Sequence, residues 1–257
     1  MISLHDQEYL RARFARELVG TVKIDHFTQR KLPIIVPGRE ECPYCEETQQ
    51  TLKELAALSP KIRLNTYEFS EATADAAGLK VDKVPRTVLR GPVNRPIRFY
   101  GFPAGHEFPA FIDDIVDVSR GQVELATETV RQLRKLRRDI AIQVFVTPTC
   151  PHCPSVARLV HKMALESPRI SADVVEIGEF PRLAERYRVR AVPMIVLDES
   201  VFFVGALDES TLIAQIVRLA QGKPPQPADG KWESSPLEQR AVEQRTPERR
   251  ESGIILP

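Results

Sequence analysis

All four cysteines of the 257-residue chain fall in two motifs of identical spacing, Cys42-Pro43-Tyr44-Cys45 and Cys150-Pro151-His152-Cys153. Two thiols separated by two residues can cycle between dithiol and disulfide. The first attacks a disulfide as its thiolate, and the second resolves the mixed disulfide that results. A Val-Pro pair follows each motif at a fixed distance: Pro85 lies 43 residues after Cys42 (85−42) and Pro193 lies 43 after Cys150 (193−150). Both elements therefore repeat at an offset of 108 (150−42 and 193−85). A dithiol and a distant proline kept in register are expected to meet in space, so the chemistry expected is thiol–disulfide exchange at two sites.

Cys42 and Cys150 are expected at helix N-caps, with Pro43 and Pro151 at the first helical position, where proline costs least. There the unsatisfied backbone N–H groups and the positive end of the helix favour a thiolate. Cys45 and Cys153, one turn deeper, become the resolving thiols. His152 can place positive charge beside Cys150 and make the second couple the stronger oxidant, whereas Tyr44 brings none. Glu40 and Glu41 stand before the first motif and oppose a thiolate there, partly offset by Arg39. The second site is thus expected to carry most of the activity. Val84-Pro85 and Val192-Pro193 are expected as cis bonds opening a strand beside each motif, with backbone free for an extended substrate. Glu68 and Glu176 share the 108 offset. Buried, they would move the resolving cysteine's proton; strand-end glutamates are more often solvated, and that reading is placed first. His5, His26, His106 and His161 have no spacing to a nucleophile or metal motif and are assigned to surface or satisfied positions. Phe99, Phe202 and Phe203 are assigned to the core.

Around these residues the hydrophobic pattern predicts a helix over 4–19, a strand over 32–36 leading into the first motif, and a helix after Cys45. A strand over 62–69, a short helix over 71–77 ended by Gly78, a hairpin (87–89 with 97–100) and a helix over 108–118 follow. The second half repeats this order: helix 127–136, strand 140–146, a helix after Cys153, strand 172–177, helix 182–187, hairpin 194–197 with 201–204, and helix 210–220. Strand–helix–strand–helix–strand–strand–helix is the thioredoxin order. The fold class expected is α/β, two tandem thioredoxin folds with mixed central sheets over residues 1–120 and 121–222. The Pro- and charge-rich tail, 223–257, is expected to be disordered.

Basic and acidic residues nearly cancel (36 against 35), which argues against a nucleic-acid footprint. The first fourteen residues lack the apolar stretch of a signal peptide, and no apolar run is long enough to span a bilayer, so a cytoplasmic location is expected. Cysteines confined to CxxC pairs suit catalysis better than a stapled secreted scaffold. Four thiolates also suit zinc, but the 105 residues between Cys45 and Cys150 (150−45) argue against a shared tetrahedral site, and no metal is expected.

The first motif carries a glutaredoxin-type dipeptide and the second the dipeptide of a periplasmic disulfide oxidant. The string from Gln143 through Val144, Phe145, Val146, Thr147, Pro148 and Thr149 to Cys150-Pro151-His152-Cys153-Pro154, with Ala191-Val192-Pro193 downstream, resembles the protein disulfide oxidoreductases of thermophilic archaea and bacteria, also called glutaredoxin-like proteins. The resemblance covers about residues 1–222. It implies two thioredoxin folds joined through an extended sheet and a cytosolic enzyme like protein disulfide isomerase, which reduces, oxidises and isomerises protein disulfides. It further implies no bound cofactor, with electrons from an NADPH-dependent flavoprotein of the thioredoxin-reductase type. Many members carry tyrosine where His152 stands, and the tail exceeds the family's usual length. The same two sites would also serve a dedicated electron-transfer partner of a peroxiredoxin-like enzyme.

Overall fold

The structure is a computed structural model that describes residues 2–30, 41–69, 82–226 and 232–233. Helix α1 (Leu4–Glu17) opens where Ser3 Oγ accepts the Asp6 N–H at 3.1 Å, and its fourfold apolar spacing buries Leu10 and Phe14. Strand β1 (Val22–Thr28) follows, then helix α2 (Cys45–Ala57) and strand β2 (Ile62–Glu68), which runs parallel to β1. Strands β3 (Arg86–Arg90) and β4 (Ile97–Tyr100) form the expected hairpin, with β3 antiparallel to β1. Helix α3 (Glu107–Arg120) closes the unit. It stops at Gly121, whose φ of +65° and 2.5 Å clearance to Val93 Cγ2 leave no room for a side chain.

The second unit repeats the plan with α4 (Thr127–Arg134), β5 (Ile140–Val146), α5 (Cys153–Glu166) and β6 (Ile170–Glu176). A 3₁₀ turn (Ile177–Glu179), α6 (Pro181–Arg186), β7 (Met194–Leu197), β8 (Val201–Val204) and α7 (Glu209–Ala220) complete it. Asp208 caps α7 by accepting the Thr211 N–H at 2.8 Å.

The two units share one nine-stranded mixed sheet in the order β2-β1-β3-β4-β6-β5-β7-β8-β9, where β9 is Trp232–Glu233. The join is a parallel pairing of β4 with β6, Arg98 to Asp173 through Tyr100 to Val175, and Arg98 forms an ion pair with Asp173 across it. One apolar core runs through both units, taking Phe14, Ile24 and Phe111 from the first and Val144, Val160 and Ile195 from the second. Each such side chain contributes roughly 1.5–3 kcal/mol by leaving water. Helices α3 and α5 are also tied by charge. Arg158 pairs with Asp114 and, at 2.6 Å, with Asp117; His161 Nδ1 meets Asp114 at 2.7 Å and its Nε2 meets the Arg98 carbonyl at 3.2 Å.

The strand over 32–36 and the helix over 71–77 lie outside the described residues, and the strand that takes the central place of the first unit is Val22–Thr28. Of the tail, residues 223–226 and 232–233 are described, and Trp232–Glu233 forms β9, antiparallel to β8. Among the described residues no helix is long and apolar enough to cross a membrane.

Candidate functional site

Each motif stands where the central strand of its unit runs out. In the first unit β1 ends at Thr28, and the next backbone N–H, of Gln29, donates to Cys45 Sγ at 3.3 Å. In the second, β5 ends at Val146, and Cys150 Sγ accepts the Cys153 N–H at 3.1 Å. Both motifs are closed as disulfides, with Cα–Cα distances of 5.5 Å.

Regular helix opens at Cys45 and Cys153, with Tyr44 and His152 as the cap residues. The N-cap expectation for Cys42 and Cys150 is therefore corrected. Both sit in the turn ahead of the helix, and Pro43 and Pro151 belong to that turn, because the disulfide and the two intervening residues round a corner before the i to i−4 pattern can begin. The bond on Cys150 Sγ is still the one an N-cap side chain makes, to the N–H three residues on. Within each pair the second cysteine is the deeper: Cys45 is 1% exposed and Cys153 0%, against 8% for Cys150 and a half-buried Cys42.

The Val84-Pro85 and Val192-Pro193 bonds are both cis. Each proline carbonyl accepts an N–H from a glycine of its own unit, Gly101 at 2.9 Å and Gly205 at 2.8 Å. Arg86 after the first proline pairs with Phe27, and Met194 after the second with Phe145, each one residue before the end of the strand that leads to the motif. Motif and proline thus occupy matching places in the two units.

Tyr44 is exposed and stacks on Phe102, with ring centroids 6.4 Å apart. His152 is exposed, and its carbonyl accepts from Ser155 Oγ at 2.8 Å. Glu68 and Glu176 hold equivalent registers, opposite Thr28 and Val146. They differ in surroundings. Glu68 is exposed and paired with Arg30 at 3.1 Å. Glu176 departs from the solvated reading: it is buried, and its carboxylate accepts the N–H groups of Gly178 and Glu179 at 3.1 and 3.0 Å. Burial pushes its carboxyl up, and those two bonds hold it back.

Two further carboxyls, Glu107 buried and Glu179 half-buried, had no signal in the sequence. Glu107, at the start of α3, is 1% exposed with Oε1 lacking a hydrogen-bond partner, and burial, with Asp114 adding, pushes it up to about 8. The His106 N–H donates to the Pro148 carbonyl at 3.0 Å, and two turns on Asp114 meets Arg158 and His161. Helices α3 and α5 therefore run in the same direction, and Glu107 follows the residue bonded to the turn that leads into Cys150. Glu179, after β6, accepts the Phe102 N–H at 2.6 Å through Oε1. Burial pushes it up to about 7, opposed by that bond and helped by Glu176 and Glu47. Of the other histidines, His26 is buried against Thr87 at 3.2 Å and burial lowers it to about 4, while His161 is satisfied by Asp114 and Arg98. Among the described residues no cluster of three or more His, Cys, Asp or Glu is placed to hold a metal ion.

Paired dithiol–disulfide centres set at the strand ends of two fused thioredoxin folds are arranged for thiol–disulfide exchange. Residues 140–218 match the family described as a thioredoxin domain. A thioredoxin of Methanocaldococcus jannaschii is 36% identical over 78 residues, which cover 30% of this chain and 92% of that protein. The chain belongs to the thioredoxin family. Its two-unit form is matched by a protein disulfide oxidoreductase of Aeropyrum pernix K1, 28% identical with a TM-score of 0.75 over 87% of this chain and 95% of that one. An alkyl hydroperoxide reductase component of Pseudomonas putida is 25% identical over 183 residues, 71% of this chain. The chain spans about a third of that relative's length (33%).

Proposed function

We propose that the chain exchanges thiols and disulfides on protein substrates through both motifs, with Cys150–Cys153 the principal centre. The observation that carries this is the pair of CxxC disulfides in matching sheet positions, each with its more open cysteine first. In the reducing direction the Cys150 thiolate attacks a substrate disulfide, one substrate thiolate leaves, and a mixed disulfide forms. Cys153 then attacks Cys150 Sγ, which closes the internal disulfide and releases the second substrate thiol. Two electrons pass to the substrate, and the proton of Cys153 goes to a nearby base. The placement of Glu107 beside the motif, with a free carboxyl oxygen, supports it in that role, and Glu176 is the alternative acceptor on the sheet side. Cys42 and Cys45 take the same parts in the first unit, with Tyr44 and His152 tuning the two couples and Glu68 at the solvent side of the first. The cis-prolines Pro85 and Pro193, with Val84 and Val192, are assigned to docking an extended substrate strand.

Re-reduction needs a two-electron donor. A flavoprotein of the thioredoxin-reductase type using NADPH supplies one with no cofactor bound to this chain. A second reading, electron delivery to one peroxiredoxin-like partner, is favoured by the similarity to a component of an alkyl hydroperoxide reductase. Insulin-reduction assays on the full chain separate these. Turnover on insulin supports the general role. Cys150→Ser/Cys153→Ser should lower it by more than about threefold relative to Cys42→Ser/Cys45→Ser, because His152 favours the Cys150 thiolate. Equal activity of both variants and the parent would overturn the CxxC mechanism.

A further inference from the structure

The first redox centre is built partly from the second unit. After β4 the chain turns through Gly101, at φ +95°, and the Phe102 N–H donates to Glu179 Oε1 at 2.6 Å, a bond that joins residues 77 apart in sequence. The approach is close enough that a Cβ on Gly101 would stand 2.7 Å from Glu176 Cβ and 2.9 Å from Glu179 Oε1. The same two residues face the first motif on their other side. Gly101 N–H binds the carbonyl of Pro85, and the Phe102 ring carries the ring of Tyr44, which stands between Cys42 and Cys45. Helix α2 brings Glu47, two residues past Cys45, near enough to raise the Glu179 carboxyl.

We propose that Glu179 is a positioning residue for the first dithiol, anchoring Phe102 and through it Tyr44, so that the redox poise of Cys42–Cys45 is set in part by the second unit. This rests on the oxidoreductase reading above. A carboxylate accepting a single half-buried N–H makes a charge-assisted bond, stronger than a neutral one and lost outright when the acceptor is removed. The anchored rings are seen packed at the closed Cys42–Cys45 disulfide, so losing the anchor withdraws support from the oxidised state. That makes the couple more oxidising.

The test uses the full chain with Cys150→Ser and Cys153→Ser, so that only the first couple titrates against a glutathione redox buffer. Glu179→Ala is expected to shift its equilibrium constant toward the dithiol by about tenfold, or about 30 mV for two electrons. Glu179→Gln keeps an acceptor oxygen and should shift it in the same direction by less than about threefold. Phe102→Leu, which leaves Glu179 in place, should match Glu179→Ala, and the two together should shift the couple no further, as two links of one chain do. It also gives the readout if Glu179→Ala folds poorly. In the complementary background with Cys42→Ser and Cys45→Ser, Glu179→Ala should leave the second couple unchanged. A Glu179→Ala shift within twofold of the parent, a Glu179→Gln shift as large as that of Glu179→Ala, or a combined shift equal to the sum of the singles would each overturn the proposal. If the first couple does not titrate reversibly even in the parent, the oxidoreductase reading of that site fails instead.

Discussion

Replacing Glu107 with glutamine removes the ionisation of a buried carboxyl while keeping its shape. The group rests at about 8 in the folded protein, against 4.5 as the ordinary value, because burial penalises the anion and Asp114 adds repulsion. Below pH 4.5 the carboxyl is neutral in both folded and unfolded chains, and its full contribution to stability is present. As pH rises from 4.5 towards 8 the unfolded chain ionises and the folded one resists, so stability is lost across that window and the loss levels off above 8. At about 1.4 kcal/mol per unit, the whole window is worth on the order of 4–5 kcal/mol, of which about 3 kcal/mol has gone by pH 7. Glutamine does not ionise. Urea unfolding of the oxidised full chain at pH 4.5, 7 and 9 should therefore show Glu107→Gln gaining on the parent by about 3 kcal/mol between the first two points and little more after pH 8. Other titrating groups cancel in that difference. A parent–variant gap that stays constant from pH 4.5 to 9 would refute the placement of a neutral buried carboxyl beside the second motif. A gap present without any slowing of disulfide closure at Cys150–Cys153 would refute its role as proton acceptor alone.

Alkylation of the reduced chain near neutral pH should label Cys42 and Cys150 first, since Cys45 and Cys153 are almost fully enclosed; mass spectrometry of short time points reads the order, and early labelling of Cys153 contradicts the proposed nucleophile. Asp114→Ala should cost about 3 kcal/mol in urea unfolding, because it leaves the buried His161 without its carboxylate and the half-buried Arg158 with Asp117 alone. A loss under about 1 kcal/mol would mean that the pairing between α3 and α5 carries little of the contact between units.

The repeat at 108 residues made most of the second unit legible, because strand Ile140–Val146 is apolar on both faces apart from Gln143 and its motif follows within a few residues. In the first unit the apolar run predicts a strand over 32–36, which lies outside the described residues, and the central described strand is Val22–Thr28. Its signal is hidden by Lys23, Asp25 and His26 among the apolar positions. Asp25 and His26 are wholly buried, yet each has partners that only the fold supplies: Asn65 and Arg90 for the aspartate, Thr87 for the histidine. Periodicity reads such residues as solvent-facing and moves the strand elsewhere. Glu107 and Glu179 were invisible for a related reason. What makes them unusual is their position at the opposite unit, and no local pattern encodes a neighbour that arrives from another half of the chain. Glu68 and Glu176 show the converse, since one register gave two environments once β6 was covered by β4 and β2 was not.

That covering has a bearing on how the chain avoids sticking to itself. A lone thioredoxin-type sheet ended at β4 would leave Ile97, Phe99 and Tyr100 along a bare, strongly apolar rim, and one begun at β6 would do the same with Val174 and Val175. Such rims are templates for pairing with another copy. Zipping β4 to β6 uses each rim to silence the other, and leaves two outer margins. One is β2, whose Arg63, Asn65, Thr66 and Glu68 make it a poor template. The other is β8, Val-Phe-Phe-Val, on which Trp232–Glu233 of the tail is laid as a short selvedge. The fusion of the two units is in this respect a defence against aggregation, and the short strand Trp232–Glu233 adds to it.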